Sequence, residues 1–483
     1  MVPFILAMSS HMALTSRAAR QSSLSSHFQI TKTKSVGITV EIMTIRSTKK
    51  KMTITGVALT AALLVALVPS LVSAGTQNGQ DTADNAWPYA PQPASPVLVA
   101  VGDISCQPDV NSTTQPGEAA VPNDTCSQNN IADVQLRNQA QAATANEVES
   151  MDPSLVAILG DEQYQVGTLA DFEGSYNQTY GAFKFLQRPS PGNHEFYSTH
   201  GQKGEDGVGY FDYFNGYQLD PNTGQPLMAQ DPLDTARVEP IPRPNGQAGE
   251  SGEGWYSYDL GSWHIISLNA ECSIGDHAVT TSCANPPAWY QQETQWLSQD
   301  LSNDHASCTL AYWHQPTFSV TSAPASATTP GADSGEGNAA DAWWQLLQAH
   351  GADVVLNGHE HVYARSAPMN AAGLADPHGI RQFIVGTGGE ALDPLHTDAS
   401  GQVSVPNLEA AQGAGTAFQN GKTTSPYAGA FGVMKLTLAQ NGYSWDYQSA
   451  TAPTLTGAGG SGPAWGSFSD IGSAMCHGPA QGH

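Results

Sequence analysis

Residues 155–167 read LVAILGDEQYQVG. The apolar run from Leu155 to Leu159 is too short for an ordinary helix and has no alternating polar positions. That pattern suits a strand buried on both faces, as in parallel sheets covered by helices. It stops abruptly at Gly160 and Asp161, and Tyr164 follows three residues later. In open α/β sheets, ligands gather beyond the carboxyl ends of the strands. A buried strand that ends on a carboxylate is therefore a candidate wall of a site.

Four other segments share this form: PVLVAVGDIS at 96–105, RPSPGNHE at 188–195, CTLAYWHQP at 308–316 and ADVVLNGHEHVYA at 352–364. Helical patterns lie between them at 129–151, 170–186, 291–303 and 341–351. GWYSYDLGSWHIISLNAE at 254–271 predicts two strands joined at Leu260-Gly261-Ser262, and RQFIVGTGGE at 381–390 begins with another. FGVMKLTLAQNGYSWDYQSA at 431–450 predicts a hairpin turning at Asn441-Gly442. Residues 197–253 form a loop-rich insertion, and 320–337 a low-complexity loop. Helices alternate with buried strands first and hairpins come later, which predicts one α/β domain with mixed sheets.

The strand ends bring together Asp103, Asp161, Asn193, His194, His314, His359 and His361. These are oxygen and nitrogen donors without a thiolate, a set suited to Fe, Mn, Zn or Mg-like ions. One aspartate can bridge two cations through its two oxygens. Two such cations neutralise and orient a phosphate and activate water for displacement at phosphorus. Alone, Asp103 would serve as a turn or cap residue. GNHE and GHEH, each placing metal-binding residue types behind a glycine, point to a site.

The order Asp103, Gly160-Asp161-x-x-Tyr164, Gly192-Asn193-His194-Glu195, His314, Gly358-His359-x-His361 resembles the calcineurin-like metallophosphoesterases, and Tyr164 their purple acid phosphatase branch. The resemblance runs from about Val97 to Tyr447. It implies two stacked mixed β-sheets flanked by helices, a four-layer sandwich. The wider superfamily has Asp-x-His as its first motif; here it is Asp103-Ile104-Ser105. In the purple branch the tyrosine replaces that lost histidine. The resemblance implies that Asp103, Asp161, Tyr164 and His361 hold a ferric ion. Asp161, Asn193, His314 and His359 would hold a divalent Zn, Mn or Fe ion. His194 would contact phosphate and protonate the leaving alkoxide. A further histidine that relatives carry beyond the position of His314 is missing, since none occurs until His350.

The formal net charge of −25 argues against nucleic acid or an anionic membrane as partner. Residues 1–74 carry about eight of the 18 Lys and Arg, so the remainder is more acidic still. An anionic substrate then needs local positive charge that metal ions can supply. Residues 1–74 read as a leader, with Met43 or Met52 as alternative starts. Arg46 and Lys49 to Lys51 form a basic region, Ile54 to about Val72 an apolar one, and Val72-Ser73-Ala74 suits cleavage before Gly75. The rival is a membrane anchor, which Pro69 and the polar residues after it disfavour. Residues 75–95 read as a linker, 96–450 as the catalytic domain and 451–483 as a tail. Export permits disulfides. Proximity suggests Cys106–Cys126 and Cys272–Cys283, leaving Cys308–Cys476 to staple the tail. The expectation is a secreted two-metal phosphatase acting on small phosphomonoesters through an activated water, without stable membrane insertion once the leader is cleaved. The alternatives are a phosphodiesterase or nucleotidase on the same metals, or a non-catalytic exoprotein that binds phosphate or carbohydrate.

Overall fold

A computed structural model describes residues 28–35, 38–45, 95–105, 131–164, 167–196, 207–230, 238–241, 243–271, 288–321, 339–457 and 460–477. The apolar part of the leader, Cys106, Cys126, Cys272 and Cys283 lie outside them, as do the two bridges expected of those cysteines. The chain divides into two units, Met1–Tyr89 and Ala90–His483. The first contains an antiparallel hairpin, Phe28–Ser35 with Ile38–Ile45. Everything below concerns the second.

The buried runs pair into two mixed sheets. One has six strands in the order Ser469–Met475, Gly442–Ser449, Gly432–Ala439, Val97–Val101, Leu155–Leu159 and Gln187–Ser190. Its last three run parallel. The other has nine, and its parallel core is Trp263–Ser267, Cys308–Tyr312, Val354–Asn357 and Arg381–Val385. Side chains alternate across each strand, and this sorts the apolar residues into layers. Leu98, Ala100, Ala157 and Leu159 of one sheet share a core with Ile265, Leu310, Val354, Leu356 and Phe383 of the other. Val99, Val101, Val156 and Ile158 face the opposite way, onto Val148 of the helix Ile131–Ser150 and aromatics such as Phe172 and Tyr176. Ile266, Ala311 and Val355 pack against Leu297, Trp343 and Leu347 of the helices Ala288–Asn303 and Ala339–Ala349. Helix, sheet, sheet, helix: this is the four-layer α/β sandwich expected. Each fully buried Leu, Ile or Phe contributes about 1.5–3 kcal/mol, so the double-sided strands carry much of the stability.

Three expectations need correction. Residues 170–186 form a single-turn-scale helix, Leu169–Gly174, and then 3₁₀ segments Tyr176–Gln178 and Tyr180–Leu186. Gly174 and Ser175 weaken the helix there, and the buried Tyr176, Tyr180 and Phe183 are seated by packing instead. Within the loop-rich insertion, Val208–Asn215 is helical, with Tyr210, Phe211, Tyr213 and Phe214 buried. The late hairpin pairs Ala439 with Gly442, so Gln440 and Asn441 form its turn, one residue earlier than Asn441-Gly442 suggested. The tail is not an appendage. Ser469–Met475 is an edge strand of the six-stranded sheet, and Asp470 accepts from Tyr363 Oη at 2.7 Å and Arg365 Nε at 2.6 Å on the other sheet. The Cys308–Cys476 disulfide forms as expected, with Cα atoms 5.5 Å apart. Among the described residues, no helix is long and apolar enough to cross a membrane.

One histidine held between two aspartates makes stability depend on pH. Burial disfavours charge on His264, but Asp300 at 2.7 Å and Asp259 at 3.1 Å overcome it and raise its pKa to about 9. The folded value lies above the unfolded one of about 6.5. The contribution is therefore complete below about pH 6.5 and is lost as pH rises through about 9. With Asp259 largely exposed, it is on the order of 2 kcal/mol. Urea unfolding of wild type and His264→Gln should give a gap of that size at pH 6 that closes by pH 10. A gap independent of pH contradicts the pairing.

Candidate metal centre

Strands from both sheets deliver the polar residues to one rim. Asp103 lies two residues beyond Val101, Asp161 two beyond Leu159 and Asn193 three beyond Ser190. His314 and His359 each lie two residues beyond their strands, Cys308–Tyr312 and Val354–Asn357. The backbone bends sharply at three of these positions. Asp103, Asp161 and His359 have φ of 60°, 48° and 67°. Non-glycine residues adopt this left-handed region at a cost, and such residues cluster at functional sites. Gly160 precedes Asp161 with φ 86°, and a Cβ there would lie 2.5 Å from His314 Nδ1. Only glycine lets this strand end approach the histidine so closely. That is why the opening run stops at Gly-Asp.

The side chains form two groups joined at Asp161. In the first, His314 Nε2 lies 3.1 Å from Asp161 Oδ2, 3.2 Å from Asn193 Oδ1 and 3.3 Å from His359 Nδ1. Asn193 Oδ1 is 3.1 Å from His359 Nδ1. In the second, Tyr164 Oη lies 2.9 Å from Asp103 Oδ1, 2.9 Å from Asp161 Oδ2 and 3.1 Å from His361 Nε2. All seven residues named in sequence for metal therefore meet, with Oδ2 of Asp161 in both groups. His194 is adjacent. Its ring lies 4.1 Å from that of Tyr164, its Nε2 is 3.8 Å from Asp161 Oδ2, and its backbone N–H donates to Asp161 Oδ1 at 2.9 Å.

The proton count tests whether these donors suit cations. His314 Nδ1 donates to the Leu159 carbonyl at 2.7 Å, so its Nε2 lone pair faces the first group. His361 Nδ1 donates to the Ala391 carbonyl at 2.7 Å, so its Nε2 lone pair faces the second. The Tyr164 hydroxyl has one proton for three neighbours, Asp103, Asp161 and His361. Each group is thus a convergence of lone pairs short of positive charge, as a cation site requires. The same surplus of negative charge governs titration, drawing a proton onto His314 Nε2 that a cation would have to displace. Burial opposes ionisation of Asp161, but His314 and His194 outweigh it and hold the carboxyl well below its usual range. Burial also opposes charge on His314, yet Asp161 and Asp103 drive its pKa well up. His359 falls to about 3, through burial and then the charge of His314. Burial, with Asp103 and Asp161, pushes the Tyr164 phenol far up. A phenolate there needs a strong positive charge beside it.

Sequence reasoning missed the residues that hold this arrangement. Glu195, the last residue of GNHE, accepts N–H groups from Asp161 at 3.0 Å, Gln163 at 3.1 Å and Gly192 at 2.8 Å. It fixes two of the loops together. The buried Glu390 accepts from Arg137 at 2.7 Å and from the Ala391 N–H at 2.8 Å. Asp393 accepts the His361 N–H at 3.0 Å. Glu195 was readable within its motif; the pairing of Arg137 with Glu390, 253 residues apart, was not.

A family model for calcineurin-like phosphoesterases matches residues 130–363. The chain is 28% identical to purple acid phosphatase 15 of Arabidopsis thaliana over 168 residues, 34% of this chain and 27% of that protein. It is 27% identical to purple acid phosphatase 18 of the same plant, covering 34% of this chain and 33% of that protein. These matches span no more than about a third of either relative's length. Among solved structures, it resembles purple acid phosphatase PPD1 from yellow lupin (Lupinus luteus) seeds, with a TM-score of 0.44 at 15% identity over 79% of this chain and 55% of that one.

Proposed function

We propose that this chain, which belongs to the calcineurin-like phosphoesterases in their purple acid phosphatase-like branch, is a secreted phosphatase that hydrolyses small phosphomonoesters at a two-metal centre. The observation that carries this reading is the pair of donor groups sharing Asp161 Oδ2. Asp103, Asp161, Tyr164 and His361 would hold a ferric ion. Asp161, Asn193, His314 and His359 would hold a divalent Zn, Mn or Fe ion. When bound, the cations supply charge neutralisation of the phosphate and acidify water. The chain's own residues do the rest. Asp161 fixes the spacing of the two groups. His194 Nε2 sits beside them and gives its proton to the oxygen of the leaving alcohol. Glu195 keeps the loops of Asp161 and Gly192 in register. The scarcity of Lys and Arg in this acidic chain leaves substrate charge to be met by the metals. Export is supported by the leader-like sequence and by the Cys308–Cys476 disulfide.

Initial rates on an aryl phosphomonoester and the matching diester, measured on protein recovered from culture medium, test the reading. The monoester should be preferred and turnover should stop on chelation. Diester preference favours the phosphodiesterase alternative, no turnover a binding role, and retention in the cell contradicts export.

A ferric phenolate absorbs visible light by charge transfer from ligand to metal. The iron-loaded protein should therefore be coloured, and Tyr164→Phe should bleach it while the second group keeps its metal. A band that survives the substitution would remove Tyr164 from the ligand set.

A further inference from the structure

The helix Ile131–Ser150 lies outside the metal centre, yet it is tied to it through one loop, Gly386 to Ala391. Arg137 Nη1 donates to Glu390 Oε1 at 2.7 Å, with both side chains buried. Two turns further along the same helix, Thr144 Oγ1 donates to the Gly388 carbonyl at 2.6 Å. The loop lies directly on the Asp103 strand end: Gly388 N–H donates to the Gly102 carbonyl at 3.0 Å and Glu390 N–H to the Asp103 carbonyl at 3.1 Å. A Cβ on Gly388 would lie 2.5 Å from the Gly102 oxygen, so the approach requires glycine. Glu390 Oε1 also accepts the Ala391 N–H at 2.8 Å, and the Ala391 carbonyl takes the proton of His361 Nδ1 at 2.7 Å.

We infer that Arg137 and Glu390 are positioning residues for the tyrosine-side metal: by anchoring the backbone of Ala391 they fix the tautomer and aim of His361, and through Glu390 N–H they hold Asp103. The inference rests on the two-metal reading and goes beyond it, since neither residue is among the seven donors of the two groups. The chain of contacts is directional. Arg137 orients the Glu390 carboxylate, the carboxylate anchors Ala391 by its N–H, and the carbonyl of Ala391, on the following peptide, accepts from His361 Nδ1 and leaves the Nε2 of His361 facing Tyr164 and Asp103. The His361 arm of this relay does not involve His314, which takes its orientation from the Leu159 carbonyl, and the Asp103 arm meets the other group only at a backbone N–H, that of His359, which the Asp103 carboxylate accepts at 3.0 Å. The consequence is selective. Loss of the pair should weaken the tyrosine-side position and spare the Asn193, His314 and His359 position. Outer partners of metal ligands typically change affinity 10–100-fold.

The test uses the full chain stripped of metal. Zn(II) is added first and counted, and Fe(III) buffered by a competing chelator is then titrated while the visible band is followed. Glu390→Ala should require roughly 10–100-fold more free Fe(III) to develop the band, with Zn(II) uptake unchanged. Glu390→Gln keeps an acceptor for the Ala391 N–H and should recover most of the affinity. Should Glu390→Ala fail to fold, Arg137→Met with Glu390→Leu removes both buried charges together, a change the interior tolerates, and should show the same selective loss. Wild-type Fe(III) affinity in the alanine or double variant overturns the inference. So does equal loss of Fe(III) and Zn(II), which would mean a general role in folding. Wild type that takes up neither metal instead refutes the two-metal reading, and this inference falls with it.

Discussion

Asp161→Asn should lower kcat/KM for an aryl phosphomonoester by roughly 10³-fold or more, and the purified protein should lose metal from both positions. This exceeds the 10–100-fold typical when a residue that only orients a ligand is removed. The reason is the double membership of one atom. Asp161 Oδ2 is 3.1 Å from His314 Nε2 in one group and 2.9 Å from Tyr164 Oη in the other. Two nearby cations repel each other, and a shared anionic oxygen offsets that repulsion; the neutral amide cannot. The shape of the site should survive, because the Asp161 backbone N–H remains held by Glu195. Unfolding should therefore change little in the metal-stripped protein. Metal content and turnover near wild type in the variant would rule out a bridging role.

His194→Ala should produce the second large effect by a different route. Its Nε2 lies 3.8 Å from Asp161 Oδ2, beyond the 2.9–3.5 Å separations within the two donor groups. The substitution should lower kcat by roughly 10²–10⁴-fold, the usual range for a lost general acid or base, with most of the metal retained. Aryl esters with good leaving groups should be affected least, since their oxygen needs the proton least. If His194→Ala arrives without metal, His194 belongs among the ligands. No histidine follows His314 until His350, and His194 is the one proposed here to carry the proton.

The parts of the fold legible in sequence are those where one physical demand dominates. Residues such as Val156 to Leu159 face apolar layers on both sides, so the run is apolar throughout and ends where the polar rim begins. The rim was legible for the same reason: glycine before Asp161, Asn193 and His359 marks backbone that must bend or pack closely. Strands held by pairing more than by burial were not legible. Lys422–Tyr427 is an edge strand with mostly exposed side chains, and its sequence lacks an apolar face. The segment 170–186 was misread because its aromatics recur at near-helical spacing, while glycines and stacking such as Phe172 on Tyr213, 4.9 Å between ring centres, decide its path. Support of the site by Arg137 and Glu390 depends on folding that brings distant segments together, which local pattern does not encode.

The most direct test of the central claim is the number of metal ions per chain in the purified protein, measured together with monoester turnover before stripping, after stripping and after metal is restored. Two ions per chain are expected, with turnover that disappears with them and returns when both are replaced. Turnover that survives complete removal of metal would contradict it.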